Sequence, residues 1–268
     1  MTLVGGTIWM ASFHGVLIDI DGVLHVSMQT IAGANETLYW LERQGYKVCF
    51  VTNTTTSSRV TLVQKLQKIG LSIEEQLVVT APVATANYIR QHYRDKRCWL
   101  LTKGDTARDF AGIHLVETQA DIIVIGGAEE LLTYENMNRA FRMLMDGAIL
   151  LATHTNLYWR TSEGLQLDSG PFVHALEFAT GQKAVVLGKP NPAFFEQALL
   201  TIDVRPQEAL MVGDDIENDI GGAQKAGLRG ALVCTGKHNA QSPLLKRIHP
   251  DVILPSIAGL PAWLETRR

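Results

Sequence analysis

Along the chain, short apolar runs alternate with segments in which apolar residues recur at helical spacing. Val16–Ile20, Val48–Thr52, Trp99–Thr102, Ile122–Ile125, Ile149–Ala152, Val185–Leu187, Leu210–Val212 and Ala231–Cys234 are predicted strands. Most are apolar at consecutive positions, which suits strands covered on both faces. Between them, Val60, Val63, Leu66 and Ile69 follow the cap candidates Ser57 and Ser58, and Gly70 closes the predicted helix. Thr133 opens a second helix carrying Met137, Phe141 and Leu144, closed by Gly147. A third, Ala193–Leu200, begins after Asn191 and Pro192, a cap residue ahead of a proline at the first helical position. The alternation predicts an α/β fold with a mainly parallel sheet. No fixed-period repeat or low-complexity linker marks a domain boundary.

Composition narrows the picture. At 268 residues the chain exceeds the roughly 100–200 of a single ordinary domain, so one large or two modest α/β units are expected. The 24 Lys and Arg against 27 Asp and Glu give a net charge of −3, with the basic residues scattered, which argues against nucleic acid as partner. Cys49, Cys98 and Cys234 lack C-x-x-C spacing and sit in or beside apolar runs, the setting of buried, reduced thiols and a cytoplasmic location. No apolar stretch approaches the roughly 18–20 residues of a membrane span, and no basic residue precedes an N-terminal apolar run. Met1–Met10 fit no element and are left out of the predicted fold.

Four polar clusters fall at or just beyond the C-terminal ends of predicted strands, where open parallel sheets place their ligand crevice. In Asp19-Ile20-Asp21-Gly22, strand alternation sends Asp19 and Asp21 to one side before Gly22 lets the chain turn. Two carboxylates facing one small site suit phosphoryl transfer, with Asp19 as nucleophile and Asp21 as general acid and base. Taken alone, the same tetrapeptide also fits an Asp-Gly turn with a capping aspartate. Thr52-Asn53-Thr54-Thr55 offers hydroxyl and amide donors for phosphate oxygens, or a polar turn and helix cap. In Gly188-Lys189-Pro190 an ammonium could ease the approach of an aspartate to a phosphoryl group, whereas most loop lysines are merely solvated. Gly213-Asp214-Asp215 through Asp219 gathers acids that would repel one another without a cation. Magnesium accepts one or two carboxylates with waters, so Asp214 is the first choice, and Asp215 or Asp219 equally suit a helix cap.

These clusters, in this order, resemble the haloacid dehalogenase superfamily of aspartate-nucleophile phosphatases, over about Phe13 to Lys237. The resemblance implies a Rossmann-like core in which Asp19, the backbone carbonyl of Asp21 and Asp214 hold Mg2+, with Asp215 and Asp219 in the metal's surroundings. It also implies that Thr52 and Asn53 contact the phosphoryl group and that Lys189 stabilises it. The long interval between Thr52 and Lys189 looks like the inserted α/β cap, of C2 type, found in the NagD-like subfamily IIA. The domains would then be 12–80 with 187–268 as core and 81–186 as cap. Within that branch, 164–172, 185–190 and 213–227 look closest to the phospholysine phosphohistidine inorganic pyrophosphate phosphatases and the haloacid dehalogenase-like hydrolase domain-containing proteins. Asp21 stands where the former group is expected to carry serine, which favours ordinary ester hydrolysis here. A homodimer through the cap is implied by analogy alone.

Selectivity among small phosphorylated substrates is expected from cap side chains over the crevice, with His154, Asn156, Tyr158, Trp159 and Arg160 as candidates. Arg160 would pair a second anion and Tyr158 or Trp159 cover an apolar leaving group; equally, these residues would pack or line a rim. His25 is expected to be a solvated loop residue and His174 to sit idle on a helix Phe172–Ala179. A competing reading is a phospho-ligand or phosphoprotein binding module with negligible turnover, and a third is a phosphotransferase. Asp21 favours the enzyme, since a binding module needs no leaving-group acid.

Overall fold

The computed structural model describes residues 13–161 and 164–267, with side chains at 159–161 outside the described set. Six parallel strands form the larger sheet, in the order Val252–Leu254, Arg229–Val233, Ala209–Gly213, Gly15–Asp19, Lys47–Thr52 and Val78–Thr80. A smaller parallel sheet runs Val185–Val186, Ile149–Ala152, Ile122–Ile125 and Cys98–Leu101. Continuous apolar runs give strands buried from end to end in both sheets, as at Gly15–Asp19, Ala209–Gly213 and Ile122–Ile125.

Alternation along the central strand divides the larger sheet's core. Val16 and Ile18 pack with Leu41, Leu62, Leu66 and Leu260 from helices on one face, and Leu17 packs with Phe194, Phe195 and Leu199 on the other. Phe194 and Phe195 meet edge to face at 5.7 Å, and burying each phenyl ring contributes about 1.5–3 kcal/mol. Their helix, Pro192–Ile202, starts as predicted, with Asn191 Oδ1 accepting from Ala193 N at 3.0 Å. The helix Arg59–Lys68 begins at Ser58 but buries Leu62, Val63 and Leu66, leaving Val60 and Ile69 half-buried. Its buried stripe is thus rotated slightly from the expected one, with Leu62 included and Val60 at its margin. The helix Tyr134–Met145 is capped by Thr133 and packs on the smaller sheet.

Two segments join the sheets. The helix Ala81–His92 buries Ala81 and Ala84 under the larger sheet and Ala86 and Ile89 under the smaller. The strand Val185–Val186 leads out of the smaller sheet toward Lys189. Cys49 and Cys98 are buried as expected, but Cys234 is exposed, because it lies one residue past the strand Arg229–Val233 where the chain leaves the core. Among the described residues no helix is long and apolar enough to cross a membrane.

Candidate active site

Three adjacent strands of the larger sheet deliver the acids and the threonine: Asp19 ends Gly15–Asp19, Thr52 ends Lys47–Thr52 and Asp214 follows Ala209–Gly213. The strand before Lys189, Val185–Val186, belongs to the smaller sheet. All four groups nevertheless meet. Lys189 Nζ donates to Asp19 Oδ1 at 2.7 Å and to Asp219 Oδ1 at 2.6 Å, and all three side chains are buried.

One carboxylate oxygen each of Asp19, Asp214 and Asp219 lie within 4.8 Å of one another. Two of these three buried carboxylates, Asp19 and Asp219, pair with the Lys189 ammonium. Burial is the main force lifting the pKa of Asp19, Asp214 and Asp219 to about 6, opposed by Lys189 at Asp19 and Asp219 and chiefly by the Lys237 N–H at Asp214. Burial alone would depress Lys189, but Asp19 and Asp219 outweigh it and hold the ammonium above the ordinary lysine value.

Asp214 Oδ2 accepts from Lys237 N, while its Oδ1 is buried with no hydrogen-bond partner. An orphaned carboxylate oxygen beside a second acid is a fitting donor for a hard cation such as magnesium. Proximity alone would include Asp219 in that shell. However, Asp219 gives one oxygen to Lys189 and accepts from Asp215 N at 3.0 Å with the other, so it supports the site from outside. The chain keeps space clear around Asp214: at Gly22, φ +86°, a Cβ would stand 2.2 Å from Asp214 Oδ2, and at Gly236, φ +64°, 2.1 Å.

Asp215 serves as a helix cap. Its Oδ1 accepts from Glu217 N at 3.0 Å and Asn218 N at 2.9 Å, and its Oδ2 from Asn218 Nδ2 at 2.8 Å. Burial works against this carboxylate, but the bonds from Asn218 prevail and hold its pKa below the usual range.

Asp21 is exposed in the cleft, accepting from Thr54 Oγ1 at 3.3 Å, with His25 Nε2 3.5 Å from its other oxygen. His25 is itself buried, not solvated, because the short pairing of His25–Val26 with Gln29–Thr30 folds it inward. Thr52 Oγ1 accepts from Thr54 N at 3.1 Å. The Asn53 side chain is occupied: Nδ2 donates to Lys189 O at 2.9 Å and Oδ1 accepts from Lys189 N at 2.8 Å. Asn53 therefore fixes the lysine's backbone, which leaves its own N–H rather than its amide side chain for an anion.

Asp19, Asp21, Thr52, Asn53, Lys189, Asp215 and Asp219 line a cleft of about 310 Å³ with Thr54, Asn156, Asn218 and Lys237; Asp214 is not in its lining but keeps a carboxylate oxygen within 4.8 Å of those of Asp19 and Asp219. Of the proposed selectivity residues, Asn156 faces this cleft and His154 does not. His154 is buried, with Nε2 3.4 Å from Thr55 Oγ1 and 3.7 Å from Asp168 Oδ1, and Nδ1 accepting from Asn156 N at 3.4 Å. Burial depresses its pKa and favours the neutral ring. Tyr158 is exposed, in the strand Tyr158–Thr161 paired with Gly164–Leu167; the side chains of Trp159 and Arg160 fall outside the described residues. His174 sits on the exposed side of the helix Ser169–Thr180, 2.7 Å from Glu177. Lys237 was missed in the sequence, although Thr235-Gly236-Lys237 follows another strand end of the same sheet.

Comparisons with known proteins identify the family. The family described as haloacid dehalogenase-like hydrolase matches residues 16–115, and that described as HAD-hydrolase-like matches residues 186–260. The chain is 43% identical to the Bos taurus haloacid dehalogenase-like hydrolase domain-containing protein 2, over 85% of this chain and 87% of that one. It is 40% identical to the Homo sapiens phospholysine phosphohistidine inorganic pyrophosphate phosphatase, over 91% and 89%. Among solved structures, the p-nitrophenyl phosphatase from Archaeoglobus fulgidus superposes with a TM-score of 0.87 at 26% identity, covering 94% of this chain and 99% of that one. Family matches over residues 16–115 and 186–260, and relatives of this identity over most of their lengths, place the chain in the haloacid dehalogenase-like hydrolase family.

Proposed function

We propose that the protein is a magnesium-dependent phosphatase that cleaves phosphate monoesters of small molecules through an aspartyl-phosphate on Asp19. The observation that carries this reading is the buried Asp19–Lys189 pair set beside the unpartnered Oδ1 of Asp214. Asp19, Asp214 and the backbone carbonyl of Asp21 would hold magnesium, which when bound supplies positive charge to the phosphoryl oxygens. The Asp19 carboxylate attacks phosphorus while the bond to the leaving oxygen breaks, and Asp21 gives that oxygen its proton. Asp21 then takes a proton from water, whose oxygen attacks the aspartyl-phosphate, freeing phosphate and Asp19. Lys189 offsets charge on Asp19 and the phosphoryl group, and the Thr52 hydroxyl with nearby backbone N–H groups orients the phosphoryl oxygens. A core of residues 12–80 and 187–268 would carry this chemistry. A cap of 81–186 would contribute Asn156 over a cleft sized for a compact leaving group.

The test is phosphate release from a panel of monoesters, pyrophosphate and phosphoramidates, with magnesium, with chelator, and for folded Asp19→Asn. Magnesium-dependent release that disappears in the variant is expected, with monoesters preferred over phosphoramidates because Asp21 supplies an acid. Release undiminished in folded Asp19→Asn would rule out the aspartate mechanism.

A further inference from the structure

The turn bearing Thr52, Asn53 and Thr54 runs on through 55–58 into the helix Arg59–Lys68, and its far end is held by the small-sheet segment. Asp105, in the loop after Cys98–Leu101, accepts from Ser58 N at 2.8 Å through Oδ1. Its Oδ2 accepts from Ser58 Oγ at 2.6 Å and Thr61 Oγ1 at 2.7 Å. The bonds from Ser58, then Thr61, hold the Asp105 carboxyl well below the usual range, so it is fully ionised at a helix N-terminus, where negative charge is favoured. Beside it, Thr106 Oγ1 donates to Thr55 O at 2.9 Å and Asp109 Oδ1 accepts from Arg59 N at 3.1 Å.

The helix does not need Asp105 for an N-cap, because Ser58 Oγ already accepts from Thr61 N. What Asp105 adds is a tie from outside the helix to the turn that precedes it. At its near end that turn is pinned to the cleft by Thr54 on Asp21 and by Asn53 on the Lys189 backbone. A turn fixed at both ends can present its donors to a phosphoryl group without reorganising.

We propose that Asp105 is a positioning residue of the phosphoryl site: by anchoring the start of the helix Arg59–Lys68 it holds the Thr52–Thr54 turn against Asp21 and Lys189. The proposal rests on the phosphatase reading above. It is a role at a distance, since Asp105 is not among the residues lining the cleft.

The experiment compares full-length wild type, Asp105→Ala, Asp105→Asn and a control, Asp251→Asn, which removes the ion pair with Arg229 at the far edge of the larger sheet. With magnesium present, kcat and KM for a chromogenic aryl phosphate, inhibition by inorganic phosphate and the urea midpoint are measured for each. Asp105→Ala should weaken phosphate inhibition and lower kcat/KM by about tenfold or more, the loss of two or three hydrogen bonds to a charged group. Asp105→Asn, which keeps an acceptor for Ser58 N, should fall between. Asp251→Asn should lower the urea midpoint with kinetic constants within about twofold of wild type.

An active wild type with phosphate inhibition and KM unmoved in Asp105→Ala would overturn this proposal alone, leaving Asp105 as a stabilising contact. Wild type that neither releases nor binds phosphate would overturn the phosphatase reading and this proposal together. Should Asp105→Ala fail to fold, Asp105→Asn decides the matter: a change of threefold or more in phosphate inhibition supports the role, and a smaller one overturns it.

Discussion

Lys189→Met tests the electrostatic frame of the site. The ammonium is buried between Asp19 and Asp219 at 2.7 and 2.6 Å, and methionine has nearly its length and shape without its charge. Removing it leaves three carboxylates with oxygens within 4.8 Å of one another. Like charges at that separation repel by about 3–4 kcal/mol per pair at an effective dielectric constant near 20. Breaking a buried pair by removing one partner costs about 3–5 kcal/mol in general, so the two routes agree on the scale. Urea unfolding followed by tryptophan fluorescence, at pH 8 in chelator, should therefore show a loss of about 3–5 kcal/mol. Lys189→Met/Asp219→Asn should lose less than the sum of its parts by about 2 kcal/mol, because the second change removes one of the stranded charges. A loss below about 1 kcal/mol in Lys189→Met, or strict additivity in the double variant, would refute the argument that these charges are coupled.

Other perturbations read other parts of the structure. Asp109 is pushed up to about 6, mainly by burial, from an ordinary carboxylate value. A folded pKa above the unfolded one adds stability on protonation, so wild type should gain on Asp109→Asn as pH falls from about 6 to 4. After discount for its partial exposure the gain should be about 1–2 kcal/mol in parallel urea titrations, and a flat difference would contradict the assigned cause. Gly236→Ala would place a Cβ 2.1 Å from Asp214 Oδ2 at positive φ, so magnesium affinity measured by calorimetry should drop about tenfold or more; an unchanged value would remove Asp214 from the proposed metal site. Phe110→Ala empties a fully buried ring site between the helix Ala81–His92 and the smaller sheet and should cost about 3–5 kcal/mol in urea unfolding.

How much of this was legible in the sequence follows from how local each feature is. Ile122–Ile125 and Ile149–Ala152 were read at their observed bounds because short apolar runs rich in Ile, Leu and Val, closed by Gly126 and Thr153, leave little choice. Val78–Thr80 and Val252–Leu254 escaped because three-residue strands at the two sheet edges carry no period to detect. The hairpin of Tyr158–Thr161 and Gly164–Leu167 escaped because each strand is only four residues long and the alternation of Leu165, Gln166 and Leu167 is too short to separate from a loop. Asp19, Asp21, Thr52 and Asp214 were singled out because neighbouring strand ends of a parallel sheet converge wherever they fall in sequence, and Lys189 reaches the same cluster from the smaller sheet. The burial of His154 was not legible, since it depends on Thr55, far away in sequence, and that of His25 because the two-residue strands that fold it inward carry no period to detect.

The delivery of Lys189 from a different sheet than the acids points to how the site is assembled. Its backbone is clamped by Asn53 from the larger sheet, yet the strand that delivers it, Val185–Val186, pairs with Ile149–Ala152 of the smaller. The turn carrying Thr52 is likewise tied at its far end to Asp105 and Thr106, and Asn156 reaches the cleft from beyond the smaller sheet's strand Ile149–Ala152. A phosphoryl group in this cleft would therefore be gripped by side chains whose positions depend on both sheets at once. A chain lacking the small-sheet segment would keep Asp19, Asp21 and Asp214 on their strands but lose the outer anchor of the donor turn and the strand that leads into Lys189. Three carboxylates would then face one another with no ammonium held between them. The charge balance of the site thus rests on a lysine whose backbone is clamped from the larger sheet and whose leading strand pairs in the smaller.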